Sequence, residues 1–422
     1  MWVGGVDPMI QTYLGSEISA AEATGTFRCL GHRADAMDLL AAADVFLLTS
    51  REDPLPSVVL EAMSAGIPTI AFDDTGGIPD LLEKFDAGES ILLGDVAAMA
   101  AAIPPLVASF DQPRAAALAQ WSKDAFSFDD YCSDLLALTI TDLSRISVVV
   151  PNYNYARFLP QRLASIFAQT YPVHEIIVLD DASDDDSLRV LEETSLAWQR
   201  RVDCRRSVSN SGSAFHQWRC AAETARGDWL WIAEADDLAQ PLFLETLVRS
   251  LAGVKNAVIA FSDSASIDDR GRPIAPDYKA YYEQILPGSM REDRVFDGTT
   301  FLRTHLSERN LILNVSAVIW RREALLAALK ACEADLATFS VAGDWRVYTE
   351  LLAQPGACVS YVAEPLNVHR RHNGSVTARH GMPAQRAEIA RMHKVLATKL
   401  GLGQAVQQRQ RRYRRLLDHS AA

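Results

Sequence analysis

The sequence predicts an α/β protein built from two or three domains. Its 422 residues are 49% hydrophobic and 23% charged, which is typical of globular proteins and excludes a disordered or fibrous chain. At about 150 residues per domain, this length corresponds to two or three domains. Short apolar runs alternate with helical stretches in two parts of the chain, and this alternation is typical of a parallel sheet covered by helices.

The first segment, residues 1–144, has this alternation from its beginning. We predict helices over 37–43 and 57–65, and we expect the Ala-rich stretch 96–138 to be helical as well. The predicted strands are 27–30, 45–50 and 69–72. The apolar start of the chain, with no leading helix or linker, leads us to expect that the chain is cut inside a domain.

The second segment, residues 145–377, begins with the apolar run 146–151, which we predict to be a buried strand ended by Pro151. A helix is expected over 158–168. Further strands are predicted over 175–179, 228–233 and 257–261. In open α/β sheets, ligands bind outside the carboxyl ends of the strands. The residues that directly follow these strands are therefore the candidates for a binding site.

The third segment, residues 378–422, is helical and strongly basic in pattern, with Glu388 and Asp418 as its two acidic residues. One interpretation is a solvated terminal helix. The other is attachment to an anionic membrane surface or to an acidic partner. The sequence leaves both open, so we expect a cytoplasmic protein, with peripheral contact at the inner face of the membrane as the second alternative.

Charge and cysteine usage exclude several classes of protein. The formal net charge is −13, which argues against nucleic-acid binding because phosphate recognition needs a basic surface. The six cysteines are scattered without a C-x-x-C pair, so neither a disulfide framework nor a zinc site is predicted, and a reducing cytosol fits. No run of about 18 apolar residues indicates a transmembrane helix.

Carboxylates that follow short apolar runs are the main chemical feature of the second segment. They are Asp180, Asp181, Glu234, Asp236, Asp237 and Asp344, the last after the run 340–343, which we also predict to be a strand. Two carboxylates about 4 Å apart repel by about 1 kcal/mol in water and by several times more in a crevice. A divalent cation relieves this repulsion, and oxygen ligands favour Mg²⁺ or Mn²⁺, commonly shared with substrate phosphates. For any single Asp, a helix N-cap is the alternative interpretation.

Several motifs of this segment resemble those of the family 2 glycosyltransferases of the GT-A fold. The resemblance covers about residues 145–377, and the order and spacing of the motifs make it specific. The motifs are 147–154 (SVVVPNYN), 179–183 (LDDAS), 210–212 (NSG), 226–228 (RGD), 233–237 (AEADD), 314–322 (NVSAVIWRR), 343–345 (GDW) and 364–372 (EPLNVHRRH).

The resemblance implies roles for individual residues around a nucleotide-sugar. Asp180 and Asp181 match the acidic pair that contacts the base and ribose, and Asn210 and Gly212 belong to a motif expected to bind the substrate. The loop that would hold the nucleotide comprises Pro151, Asn152, Tyr153 and Asn154.

The resemblance also implies a metal site. The motif Glu234–Asp236 matches the family's Asp-x-Asp sequence, with Glu at its first position, and Asp236 or Asp237 is the expected direct ligand of Mg²⁺ or Mn²⁺. Arg371 and His372 match a basic region near the diphosphate.

The implied chemistry is transfer with inversion at the anomeric carbon. Asp344 matches the catalytic base, although Gly343 stands where the family usually has Glu. We expect an ordinary Asp pKa near 4, which keeps the base ionised at neutral pH. Asn314 would line the acceptor pocket. UDP- or dTDP-linked donors and a glycan or lipid-linked acceptor are expected. A non-catalytic module that binds sugar-nucleotide or glycan is the alternative.

The first segment resembles the donor-binding half of the family 4 glycosyltransferases, which have the GT-B fold, over about residues 2–105. The family's paired acids match Asp53 and Glu61. The acceptor half and the first strand of the donor half are missing. We expect either a fragment of a longer protein with two transferase activities or a vestigial partner of the second segment.

Overall fold

The computed structural model of the chain describes residues 1–126, 128–139, 143–372 and 381–419. The chain divides into two compact units, Met1–Tyr131 and Cys132–Ala422. The division falls a short distance before the boundary predicted after residue 144, and the predicted third segment lies within the second unit.

The first unit contains a small parallel sheet with the strand order β1-β2-β3. Its strands are β1 (Phe46–Leu48), β2 (Thr69–Phe72) and β3 (Gly88–Ile91). Its helices are α1 (Pro8–Ala23), α2 (Ala36–Ala41), α3 (Ser57–Ser64), α4 (Ile78–Phe85), α5 (Val96–Ser109) and α6 (Gln112–Ala125), and α7 (Phe128–Thr139) spans the division between the units. Every residue of β2 is buried, as an apolar central strand requires.

The predicted strand over 27–30 is wrong. This stretch makes only isolated bridges, between Trp2 and Cys29 and between Gly4 and Gly31. The partner segment is too short for a strand because Pro8 already begins α1, capped by the side chain of Asp7.

The second unit is built on a ten-stranded mixed sheet. Its strands are β4 (Ile146–Asn152), β5 (Glu175–Asp180), β6 (Asp203–Arg206), β7 (Trp229–Ile232), β8 (Leu238–Ala239), β9 (Ala257–Asp268), β10 (Pro273–Ala275), β11 (Arg294–Asp297), β12 (Val318–Arg321) and β13 (Cys358–Arg371). The main path runs β11-β13-β9-β12-β7-β4-β5-β6, with β10 beside β9 and β8 beside β13.

Helices cover this sheet. They are α8 (Leu159–Phe167), α9 (Ser187–Trp198), α10 (Ala214–Thr224), α11 (Phe243–Ser250), α12 (Lys279–Glu283), α13 (Gly298–Thr304), α14 (Arg322–Ala331), α15 (Glu333–Leu336), α16 (Gly343–Leu352), α17 (Met382–Leu400) and α18 (Gln404–His419). The side chains on the two faces of β4 pack in different hydrophobic clusters. Val149 belongs to one cluster, and Val148 and Val150 belong to the other. This burial on both sides explains why β4 is a continuous apolar run.

The strands β4, β5, β6 and β7 are parallel. Their carboxyl ends therefore lie at one edge of the sheet, which is where the sequence predicted the site. The predicted strands over 146–151, 175–179, 228–233 and 257–261 are confirmed as β4, β5, β7 and the first part of β9.

The apolar run 340–343 is not a strand, and Asp344 lies in the first turn of α16 instead. The backbone N–H groups of Ser340, Val341 and Ala342 donate to the side chain of Glu388. These groups are therefore not available to a neighbouring strand.

The basic C-terminal segment packs on the second unit through one apolar face. Met392, Leu396 and Leu400 on α17 are buried in the same hydrophobic cluster as Trp345 of α16. None of the helices within the described ranges combines the length and the apolar composition that a membrane span requires.

We predict that Leu396→Ala lowers the free energy of unfolding of the second unit by about 2 to 5 kcal/mol, because it opens a cavity at a fully buried position. Leu416→Ala on α18 is the matched control, since Leu416 is 53% exposed. Denaturant unfolding of both variants is the measurement. Equal stability of Leu396→Ala and the unsubstituted protein would contradict the packing of α17 on this unit.

Candidate active site

The ends of β4 and β5 form the first part of the site. Asn152 and Asp180 are neighbours in the parallel register, and both are buried. The Asn152 amide donates to Asp180 Oδ1 at 2.8 Å and to Ser183 Oγ at 3.1 Å. Asp180 Oδ2 accepts the Ser183 N–H at 3.0 Å, and Arg206 Nε lies 3.6 Å from it. Both carboxylate oxygens of Asp180 are thus held in fixed positions.

The loop after β4 is folded against the loop after β5. Asn154 has a positive φ of 60°, and its N–H donates to Ser183 Oγ at 3.0 Å. Its side-chain oxygen accepts the Asp184 N–H at 2.9 Å. Pro151 is half-buried, whereas Tyr153 is 41% exposed. Tyr153 and Asn154 are the exposed residues of this predicted nucleotide loop.

Asp181 joins the end of β5 to the turn before α10. Asp181 is buried, and both of its oxygens accept the Ser211 N–H at 3.0 Å. The Ser211 hydroxyl donates to Asp181 Oδ2 at 2.7 Å. In the same turn, Asn210 Oδ1 accepts the Gly212 N–H at 2.6 Å, and Gly212 has φ +64°. Asn210 and Gly212 therefore shape the turn that meets Asp181.

Asp236 lies in the loop after β7 and meets the end of β13. Asp236 Oδ2 is 2.8 Å from His372 Nε2, and the rings of Tyr155 and Phe158 pack against His372. The Asp236 side chain is 16% exposed. Within the described part of the chain, Asp236 Oδ1 has no hydrogen-bond partner, so this oxygen is open to an ion or ligand.

Asp237 is used to hold this loop in place. Its Oδ1 accepts the Arg370 N–H at 2.8 Å and its Oδ2 accepts from Asn314 Nδ2 at 2.7 Å. Asn314 Oδ1 in turn accepts the Ser316 N–H at 2.7 Å. Burial, reinforced by the charge of Asp236, raises the pKa of Asp237. The predicted residues Asp237 and Asn314 are thus brought together and bonded to each other.

Arg370 is a buried charged residue that the sequence reasoning missed. Its Nε donates to the Asp236 carbonyl and its Nη2 to Gln161 Oε1, both at 2.8 Å. Its guanidinium lies 4.9 Å from the centre of the Phe158 ring. Arg371, which the sequence analysis expects near the diphosphate, follows Arg370 directly and is exposed. The alternation of side chains along β13 is the signal that could have separated the inward from the outward arginine.

Arg162 on α8 was also missed. It is fully buried, with its guanidinium 4.6 Å from the centre of the Trp231 ring. Its three nitrogens lack hydrogen-bond partners among the described residues. Burial lowers the pKa of Arg162 to about 10, although Asp237, Asp236 and Glu234 oppose this shift. Arg162 therefore stays charged and places a positive charge beside the acidic motif.

Glu234 is the first acid of the motif, directly after β7 and Ala233. Its N–H donates to Ser316 Oγ at 3.0 Å. Burial raises the pKa of Glu234 to about 8, and the charges of Asp236 and Asp237 add to this effect. In the protein alone, the carboxyl group is therefore mostly protonated at pH 7, which makes it a poor metal ligand.

Asp344 is held by two donors in the first turn of α16. Asn310 Nδ2 donates to its Oδ2 at 2.8 Å, and the Trp345 N–H donates to its Oδ1 at 2.6 Å. Burial raises the pKa of Asp344 to about 7, so the expectation of an ordinary value near 4 is wrong. The charges of Asp344 and Glu234 both raise the pKa of the buried Tyr348 hydroxyl. Asp344 and the acidic motif therefore border the same region.

The glycine at position 343 has a structural explanation. A Cβ atom added to Gly343 would lie 2.2 Å from Cζ and 2.4 Å from Cε2 of Phe215. The Phe215 ring, which packs edge-on against Trp218 at an interplanar angle of 77°, occupies the space where a larger side chain would begin. A Glu at this position would require the ring to move.

The fit of a metal ion depends mainly on Asp236. No three His, Cys, Asp or Glu side chains in the described ranges form a ready-made metal site. Mg²⁺ is usually bound through one or two carboxylates together with substrate phosphates and water. The open oxygen of Asp236 fits this mode, whereas both oxygens of Asp237 already accept hydrogen bonds.

The two candidate acids of the first unit lie near the start of α3. The Asp53 N–H donates to the Thr75 carbonyl at 3.0 Å. Gly76 is required beside it, because a Cβ there would lie 2.3 Å from the Asp53 carbonyl oxygen. Glu61 is exposed on α3. Their role in binding a donor stays a prediction.

Comparison with known proteins agrees with both resemblances. Residues 147–308 match the family described as Glycosyl transferase family 2. Residues 1–109 match the family described as Glycosyl transferases group 1.

Individual relatives match over limited lengths. EpsE of Bacillus subtilis (strain 168) is 28% identical over 163 residues, which are 38% of this chain and 56% of EpsE. The hyaluronan synthase of Streptococcus pyogenes is 35% identical over 114 residues, which are 25% of this chain and 26% of the synthase. The chain thus spans from about a quarter to about half of the length of these relatives.

A solved structure of S. aureus TarS 1–349 in complex with UDP-GlcNAc is similar with a TM-score of 0.44 and 16% identity. The similarity covers 61% of this chain and 70% of that one. The family matches confirm the fold class and the resemblance predicted from the motifs. Residues 147–308 accordingly match the family 2 glycosyltransferases, in agreement with the predicted α/β, GT-A type, and they follow a segment that matches the group 1 glycosyltransferases.

Proposed function

We propose that residues 145–377 form a metal-dependent, inverting glycosyltransferase. It moves a sugar from a nucleotide-sugar to a hydroxyl group of a glycan or lipid-linked acceptor. The observation that supports this proposal is the set of fixed carboxylates around the carboxyl ends of β5 and β7, together with a partly ionised Asp344 that borders the same region. Each carboxylate has a different environment, and therefore a different role.

The nucleotide would lie over the ends of β4 and β5. Asp180 and Asp181 are already bonded to Asn152 and Ser211, so they present fixed acceptors to the base and ribose without reorganisation. The exposed Tyr153 ring offers a surface for the base. A UDP- or dTDP-linked donor is the class that we propose.

The diphosphate would lie near Asp236, His372 and Arg371. Asp236 would hold Mg²⁺ or Mn²⁺ through its open oxygen, with Asp237 as the second candidate, and the bound ion would neutralise charge on the departing diphosphate. His372 is held by Asp236 and by the rings of Tyr155 and Phe158. Arg371, at the end of β13, adds a positive charge for the phosphates.

Asp344 would accept the proton of the acceptor hydroxyl as that oxygen attacks the anomeric carbon. The bond to the diphosphate breaks on the opposite face, which gives inversion. Asn310 and the Trp345 N–H keep the carboxylate in one orientation. A base with a pKa near the working pH combines adequate ionisation with adequate basicity.

The similarity to a protein named hyaluronan synthase supports a role in polysaccharide biosynthesis. The exposed Arg411 and Arg412 on α18 support a cytoplasmic location with peripheral contact to an anionic membrane surface. The second candidate function is a non-catalytic module that binds sugar-nucleotide or glycan. Two observations favour this alternative: Glu234 is mostly protonated at pH 7, and Gly343 stands at the position where the family usually has Glu.

We predict that Asp344→Asn lowers kcat by about 10²- to 10⁴-fold, which is the usual contribution of a general base. The assay is the release of nucleotide diphosphate from a panel of UDP-, dTDP- and GDP-sugars with Mn²⁺ and glycan acceptors. Glu192→Gln, which removes an exposed carboxylate on α9, is the control and should keep full activity. Undiminished turnover by Asp344→Asn would reject the base, and donor binding without any release would favour the non-catalytic module.

We also predict that kcat/KM rises with pH through a value of about 7. The base must be ionised, and burial raises its pKa to that value, so activity is lost below about pH 7 and retained above it. A pH profile of the unsubstituted protein with its best donor is the measurement. An acidic limb near pH 4 would show that Asp344 keeps an ordinary pKa.

A third prediction concerns Asp236. Asp236→Asn should weaken the Mn²⁺-dependent binding of UDP by about tenfold or more, because it removes the charge on the open ligand oxygen. Binding without Mn²⁺ should change little. Calorimetric titration of UDP in the presence of Mn²⁺ and in the presence of EDTA separates metal-dependent from metal-independent binding. If Mn²⁺ strengthens UDP binding equally in Asp236→Asn and in the unsubstituted protein, another group holds the metal.

A further inference from the structure

Glu388, on the C-terminal helix α17, is bonded to the segment that leads into the helix of Asp344. Glu388 is buried. Its Oε1 accepts the Ser340 N–H at 2.9 Å, and its Oε2 accepts the N–H groups of Val341 and Ala342, both at 2.8 Å. One side chain thus satisfies three successive backbone donors.

The position of these donors matters because α16 begins immediately after them. Its N-cap residue, Ala342, has no side chain that could accept a hydrogen bond. The first N–H groups of a helix need outside acceptors, and a negative charge near them is favourable. From a distant part of the sequence, Glu388 accepts the N–H of the N-cap residue Ala342 and those of the two residues before it, and it brings a negative charge close to the start of α16. Asp344 lies in the first turn of this helix, two residues beyond Ala342.

Packing fixes Glu388 itself. On the same helix, the His393 ring lies perpendicular to Trp345 at 5.9 Å, and His393 Nε2 is 2.7 Å from the Glu308 carbonyl. Met392, one turn after Glu388, is fully buried. The carboxylate is therefore held by a packed helix.

The groups that hold or influence Asp344 come from several elements. Asn310 and the Trp345 N–H hold its two oxygens. Tyr348, on its own helix, is influenced by the charges of both Asp344 and Glu234. Burial is the main cause that raises the pKa of Asp344, and the negative charge of Glu388 on α17 adds to it.

We propose that Glu388 is a positioning residue of the transferase, which fixes the start of α16 and through it the carboxylate of Asp344. This inference rests on the proposed role of Asp344 as the base. Glu388 touches neither donor nor acceptor in this scheme. Its contribution is to keep the base in the geometry needed for proton transfer, where a small displacement is costly.

The test compares Glu388→Gln with Lys399→Met. Lys399 lies on the same helix and pairs with Glu350 at 2.8 Å, near the other end of α16, so its substitution removes a contact to the same helix far from Asp344. For Glu388→Gln we expect kcat at least about tenfold lower, with the donor KM and the Kd of UDP with Mn²⁺ changed less than twofold. For Lys399→Met we expect kcat to stay within twofold.

A pH profile separates positioning from a general loss of stability. Removing the negative charge of Glu388 lowers the pKa of Asp344, so the acidic limb of kcat/KM should move to lower pH in Glu388→Gln. Glu388→Asp keeps the charge but is shorter by one methylene. It should lose kcat without this shift, and it also serves as the test if Glu388→Gln does not fold.

Hydrogen exchange provides a readout that does not depend on turnover. The amides of 340–342 should exchange slowly in the unsubstituted protein and faster in Glu388→Gln. If neither the unsubstituted protein nor any variant turns over a donor, while amides 340–342 exchange faster in Glu388→Gln, the proposed function fails but the hydrogen bonds from Glu388 to this segment are confirmed. If the unsubstituted protein is active and both Glu388 variants keep its kcat, or lose no more than Lys399→Met, the positioning role is overturned.

Discussion

The mutual repulsion of carboxyl groups at one edge of the sheet is the constraint on which the site depends. Each group needs a donor or a positive charge to be tolerated there. The Asn152 amide donates a hydrogen bond to Asp180, and the Arg370 N–H donates one to Asp237. Where compensation falls short the group takes up a proton instead, as the raised pKa of Glu234 shows. The buried charge of Arg162 limits this effect.

These fixed donors also separate the roles of chemically similar residues. Asp180, Asp181 and Asp237 have both oxygens in hydrogen bonds, which makes them rigid parts of the loops around the site. Asp236 keeps one oxygen open, and Asp344 is held by neutral donors at a pKa of about 7. The same side-chain type can thus serve as scaffold, as metal ligand and as base, because the surrounding donors differ.

The sequence predicted what depends on local pattern. Strands such as β4 and β5 are apolar because both of their faces are covered, so short apolar runs in the sequence predict them. Once these strands are located, the acids at their carboxyl ends are located as well. Arg162 and Arg370 were missed because a charged residue on an amphipathic helix or strand is ordinarily assigned to the surface. The run 340–343 predicts a strand because nothing nearby in sequence indicates that Glu388 accepts the N–H groups of residues 340–342.

Charge density alone does not show how the C-terminal segment packs. Its many arginines favoured a solvated or membrane-bound helix, yet Met392, Leu396 and Leu400 recur at a four-residue spacing and bury one face of α17. That face carries Glu388 to the start of α16. Because Phe215 fills the space beside Gly343, an acid that influences the base must approach from elsewhere, and the packed C-terminal helix provides that route.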